Sequence, residues 1–63
     1  PKPFREERRQ CLDDFERAYL HRMLLHTAGN VSQAARLAKK DRRDFQRLIT
    51  KHAIPVNSYR KKE

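Results

Sequence analysis

Residues 29–54, GNVSQAARLAKKDRRDFQRLITKHAI, read as two short helices joined by a tight turn. Gly29 suits the left-handed position just past a helix end, which other residues enter only with strain. Asn30 caps the next helix: its side-chain oxygen can accept from the amide of residue 33 while Gln33 reaches back, an N-x-x-Q form of the capping box. Over 31–38, Val31, Ala34, Ala35 and Ala38 fall on one face, and Leu37 is a further apolar contact. Asp41 caps a third helix, from Arg42 to His52, with Phe45, Leu48, Ile49 and His52 as its inward stripe. At about 100° per residue the opposite side carries Arg43, Arg47 and Thr50, flanked by Gln46 and Lys51. Pro55 stops that helix.

Upstream, residues 4–27 contain neither glycine nor proline and are dominated by strong helix formers, so they predict one long helix. At 1.5 Å per residue it extends roughly 36 Å, more than so small a domain requires. Its apolar positions form two overlapping stripes. One holds Leu12, Phe15, Tyr19 and Met23, the other Leu20, Leu24 and Thr27, with Cys11, Ala18 and Leu25 widening the arc. A helix apolar over so wide an arc needs cover from two sides. The short helices supply one side, and a second copy of the chain is the natural source of the other. Residues 1–3 read as a linker remnant. Residues 55–63, with Arg60, Lys61 and Lys62 and no apolar period, read as a flexible basic tail.

The chain has 63 residues and a net charge of +8. A domain of this size buries only about 60% of its unfolded surface and commonly gains stability from a metal, a disulfide or a partner. Cys11 is the only cysteine, so no disulfide closes within the chain. His21, His26 and His52 have no ligand-type spacing, and no metal or other cofactor is expected. Residues 1–28 carry six basic and five acidic side chains, whereas residues 29–62 carry ten basic ones and only Asp41 and Asp44. A field concentrated on one half suits a polyanion, nucleic acid before an anionic membrane. A basic membrane helix fits poorly, since the cations of the third helix flank a narrow stripe of Phe45, Leu48 and Ile49. No apolar run approaches a membrane span or a secretory h-region, and a cytoplasmic location is expected. Paired acids and bases, nucleophile constellations and phosphate-cradling glycine loops are absent, so the chain is not expected to be an enzyme.

A DNA-reading helix needs an apolar side to seat it, an open polar side for base edges, and nearby cations for phosphates. Residues 41–52 supply all three. Arg42, Arg43, Gln46 and Arg47 are the expected base contacts; Arg43 and Arg47, one turn apart, can each pair bidentately with guanine. Asp44 and Thr50 are further possible contacts, though Asp44 also complements the helix dipole. Ser32, Gln33, Lys39, Lys40 and Lys51 are the expected phosphate contacts.

The run FERAYLHRMLLHTAGNVSQAARLA, within a likeness covering residues 12–54, resembles the Fis-type DNA-binding domain that ends sigma-54-dependent activators of the NtrC class. Phe15-Glu16-Arg17 with Tyr19-Leu20, and Gly29-Asn30-Val31 with Ala34-Ala35, carry the resemblance. It implies an all-α fold, a long N-terminal dimerisation helix followed by a helix-turn-helix. It also implies a homodimer binding imperfect DNA palindromes, paired through the first helices where Cys11, Leu12, Phe15, Tyr19 and Met23 meet. An ATPase domain acting on sigma-54 RNA polymerase is implied elsewhere in the parent chain; no Walker motif is present here. The chain departs from the family at Lys39, usually glycine, at Lys40, usually apolar, and at Asp41, usually a serine-type cap. Asp44 and Gln46 stand where threonine and tyrosine are common. The alternative is a degenerate helix-turn-helix kept mainly for dimerisation, with weak or non-specific DNA binding.

Overall fold

A computed structural model describes residues 1–60. Helix α1 runs Phe4–His26, α2 Val31–Leu37 and α3 Arg42–Lys51, followed by a 3-10 turn over Val56–Tyr59. Among the described residues all regular structure is helical, as the apolar periods predict.

Of the two α1 stripes, the shorter one faces the fold. Leu20 and Leu24 are buried, and the buried Thr27 donates its hydroxyl to the Met23 carbonyl at 2.9 Å. They meet Ala34 and Ala35 of α2 and Phe45 and Ile49 of α3, with Phe45 fully enclosed. The two alanines let α2 approach closely, and α2 packs on both other helices. Met23, Val31, Ala38, Leu48 and Ile54 pack around this centre. Met23, expected between two chains, thus belongs in part to the chain's own core. Leu37, expected as an apolar contact, is 49% exposed because it lies on the outer side of α2.

The first turns of α1 stand clear of the packed core. Residues 4–12 are all exposed, and the molecule measures 47 × 23 × 16 Å with α1 reaching beyond the packed part. Phe4, Leu12 and Phe15 are 82%, 51% and 59% exposed. Tyr19 is half-buried, its ring 5.9 Å from that of Phe15. Cys11 is exposed.

All three helices end alike. Past α1, the Ala28 amide donates to the Leu25 carbonyl at 3.3 Å and the Gly29 amide to that of Leu24 at 2.8 Å. After α2 the pair is Lys39 to Arg36 at 3.0 Å and Lys40 to Ala35 at 2.9 Å; after α3 it is Ala53 to Thr50 at 3.1 Å and Ile54 to Ile49 at 3.0 Å. These are Schellman closures, which satisfy carbonyls left open at a helix end. Each requires a left-handed residue, and here those residues are Ala28 (φ 53°), Lys39 (φ 56°) and Ala53 (φ 50°). The expected position of Gly29 is therefore corrected by one residue. Ala28 takes the left-handed closure and Gly29 follows it at φ 83°. Likewise α3 closes before Pro55, at Ala53.

Two cap expectations differ in outcome. The Asn30 side chain accepts from the Gln33 amide at 3.0 Å, but the Asn30 amide donates to the Thr27 carbonyl rather than to the Gln33 side chain. Asp41 begins α3 in extended backbone without a side-chain capping bond.

The expected flexible tail is corrected over its first part. Val56 and Tyr59 pack against the core, and the Tyr59 hydroxyl lies 2.7 Å from His21 Nδ1. The Ser58 hydroxyl donates to the Pro55 carbonyl at 2.7 Å, closing the turn on itself. Lys61 and Lys62 of that tail lie outside the described residues.

Candidate nucleic-acid interface

The apolar stripe of α3 decides what its other side can do. Burial of Phe45 and Ile49, with Leu48 half-buried, turns Arg42, Arg43, Gln46, Arg47 and Thr50 to solvent. Neither Arg43 nor Arg47 lies beneath another element. The Arg47 side chain is 80% exposed, and its one ionic contact among the described residues is Asp44 at 4.0 Å, one turn back. Such a pair between exposed groups contributes only about 0–1 kcal/mol, so it does not hold the guanidinium back from another partner. Asp44 sits in the first turn of α3, where a carboxylate complements the helix dipole.

Arg42 and Gln46 also line a cleft of about 580 Å³. The α1–α2 junction from Ala28 to Ser32 lines it too, together with Val56, Asn57 and Arg60. Ser32 and Gln33 are exposed at the start of α2, with the Gln33 amide already taken by Asn30. Lys39 and Lys40 are exposed in the turn between α2 and α3. Lys40 also edges an apolar groove lined by Phe15, Tyr19, Ala38 and Leu48.

Lys51, another expected phosphate contact, makes ion pairs to α1 with its side chain still 55% exposed. Its ammonium lies 3.3 Å from Glu16 and 3.8 Å from Asp13, both on α1. The reason is charge: those carboxylates face the last turn of α3, and a flexible lysine stem reaches them. His52 joins the same junction. Its side chain is 3% exposed and its Nε2 lies 2.7 Å from Glu16 Oε1. Arg17 Nε donates to His52 Nδ1 at 3.4 Å, which fits the tautomer carrying its proton on Nε2 and donating it to Glu16. The hydrogen bond from His52 holds the Glu16 carboxyl below its ordinary range; burial opposes that, and Lys51 adds to it. Asp13, Glu16 and His52 bring their ligand-type atoms within 4.8 Å of one another, a grouping that sequence spacing did not reveal. The Lys51 ammonium already supplies a cation to the two carboxylates. The junction braces the far end of α3 against α1 and so fixes the angle at which its open face is presented.

Sequence reasoning missed Glu16, His52 and Arg60 as parts of this arrangement. For the first two a signal existed: Glu16 and Arg17 lie in the run Phe15-Glu16-Arg17, and both reach His52 from one turn of α1. Arg60 offered none, because nothing local places it.

Residues 12–38 match the family described as "Bacterial regulatory protein, Fis family". The chain is 38% identical over 51 residues to the transcriptional regulatory protein GlrR of Escherichia coli (strain K12) and, equally, to the transcriptional regulatory protein QseF of Escherichia coli O157:H7. The match takes in 81% of this chain but only 12% of either relative. No solved structure matches it. Among the described residues, no helix is long and apolar enough to cross a membrane.

Proposed function

Because the chain carries a Fis-family DNA-binding helix-turn-helix of transcriptional regulators, we propose that it binds double-stranded DNA sequence-specifically as a homodimer. In this role it tethers a sigma-54-dependent activator, whose ATPase domain lies elsewhere in the parent protein, to sites upstream of promoters. The observation that carries this reading is the division of α3. Its apolar side is sealed into the core, while Arg42, Arg43, Gln46 and Arg47 are all exposed on the other side. An α-helix of this width fits the major groove, and arginine there pairs bidentately with guanine. Lys39, Lys40, Ser32 and Gln33 flank the face as phosphate contacts, with Asp44 and Thr50 at its edge. The dimer reading is supported by Leu12 and Phe15, which lie exposed beside half-buried Tyr19 on a helix that outruns its own domain.

The test is anisotropy titration of the chain against a duplex selected from a random pool and against random duplex. Affinity should fall with roughly the tenth power of salt concentration if about ten phosphates are neutralised per dimer. Arg47→Ala should weaken selected binding by about 1–3 kcal/mol and relax preference at one position per half-site. Equal, weak affinity of the unaltered chain for both duplexes would instead favour a module kept for dimerisation.

A further inference from the structure

We propose that Arg60, carried by the C-terminal 3-10 turn, is a DNA phosphate contact that works with Arg42 across the cleft beside α3. This rests on the duplex-binding reading above. The placement of Arg60 is built into the fold. Gly29 is buried, and a Cβ there would lie 2.7 Å from Arg60 Cγ and 3.2 Å from both the Arg60 amide nitrogen and the Val56 carbonyl oxygen. The absence of a side chain at Gly29 therefore lets the turn lie directly on the α1–α2 junction. Val56 and Tyr59 anchor it to the core, and the Tyr59–His21 contact ties it to α1. The aliphatic stem of Arg60 is thus seated on Gly29 and does not trail from a free end.

The cleft that results has a consistent chemistry. Arg42 and Arg60 both line it, Ser32, Asn57 and Gln46 supply polar groups, and among the described residues none that lines it is acidic. Two arginines lining a concave polar surface favour an anion there, and the planar fork of arginine matches phosphate oxygens. The cleft adjoins the base-reading face through Arg42 and Gln46, which belong to both. A DNA strand bordering the groove occupied by α3 would bring its backbone to this position. The turn after the third helix thereby becomes part of the interface.

The experiment compares Arg60→Met and Arg60→Lys with the unaltered chain in anisotropy titrations over a range of salt, using the selected and random duplexes. Methionine keeps an aliphatic stem over Gly29 and removes the charge. Loss of one phosphate contact should lower the salt slope by about 0.9 per protomer and weaken binding about fivefold per protomer near 0.15 M salt. Both duplexes should be affected alike, because a phosphate contact carries no sequence information. Arg60→Lys should keep the slope. If the unaltered chain binds duplex but Arg60→Met has the same slope and affinity, the phosphate role is overturned and the duplex-binding reading survives. Weaker binding with an unchanged slope and a lowered melting temperature also overturns it, by assigning Arg60 to packing alone. If the unaltered chain binds no duplex, both readings fall.

Discussion

Lys39→Gly should make the protein more stable than Lys39→Ala, although both remove the lysine side chain from the turn on which the helix-turn-helix depends. Lys39 closes α2 at φ 56°. For a residue with a Cβ this conformation costs roughly 1–2 kcal/mol, through the approach of Cβ to the following carbonyl oxygen. Glycine removes that cost and returns about 0.5–1 kcal/mol as extra freedom in the unfolded chain. A second effect must be separated. A cation at a helix C-terminus contributes about 0.3–1 kcal/mol, and Lys39→Gly loses it. The proper reference is Lys39→Ala, which loses the same charge but stays left-handed. Lys39→Gly should be more stable than Lys39→Ala by about 0.5–1 kcal/mol, or roughly 2–8 °C in melting temperature for a domain of this size. The assay is thermal denaturation by circular dichroism at one fixed protein concentration, since self-association makes the midpoint concentration-dependent. Both variants should show the same salt dependence of DNA binding, having lost the same cation. Coincident melting of the two would refute the argument, because it would mean that the backbone at residue 39 is not held left-handed in solution. Ala28→Gly and Ala53→Gly provide independent repeats at the other two helix ends.

Phe45→Ala empties the centre of the core, where the ring is fully enclosed, and should cost about 3–5 kcal/mol. At roughly 4–8 °C per kcal/mol for a domain of this size, its melting temperature should fall by roughly 12–40 °C; a melt near that of the parent would remove Phe45 from its central place. Glu16 is held below its ordinary range by its bond from His52. A depressed folded-state value means that its contribution is complete above the unfolded value and is lost as pH falls through the folded one. Denaturation between pH 7 and 3 should therefore show stability falling below roughly pH 5, more shallowly in Glu16→Gln; identical profiles would contradict the junction. Phe15→Asp places a charge on the exposed α1 stripe and should convert a dimer to monomer in sedimentation at tens of micromolar, leaving the monomer fold intact. An undiminished dimer would move the interface off this stripe, and a monomeric parent would contradict self-association.

The α1–α3 junction and the helix ends bear on function together. The open side of α3 has a defined direction because one end follows the Schellman closure at Lys39 and Lys40, while the other is held to α1 through Glu16, Lys51 and His52. A reading helix fixed at both ends presents Arg43 and Arg47 without further ordering of its backbone. Little backbone entropy then remains to be lost on binding, one of the ordering costs that oppose association.

Periodicity along the chain was enough to place the three helices, the Asn30 cap, and the inward residues Leu20, Leu24, Phe45 and Ile49, since these depend on neighbours three or four residues apart. The same period, inverted, identified the exposed arginines of α3. Composition located the excess charge on the second half of the chain. Other features needed partners far away. Two α1 stripes were both apolar, and only the position of α2 and α3 chose Leu20 and Leu24 over Leu12 and Phe15. Lys51 had an exposed position but was drawn to Asp13 and Glu16, more than thirty residues earlier. The 3-10 turn over Val56–Tyr59 is too short to carry a period, and it is held by His21 and the bare backbone of Gly29. Helical register is a local property of the backbone, whereas the destination of a long charged side chain or a four-residue turn depends on surfaces that exist only once the helices have packed.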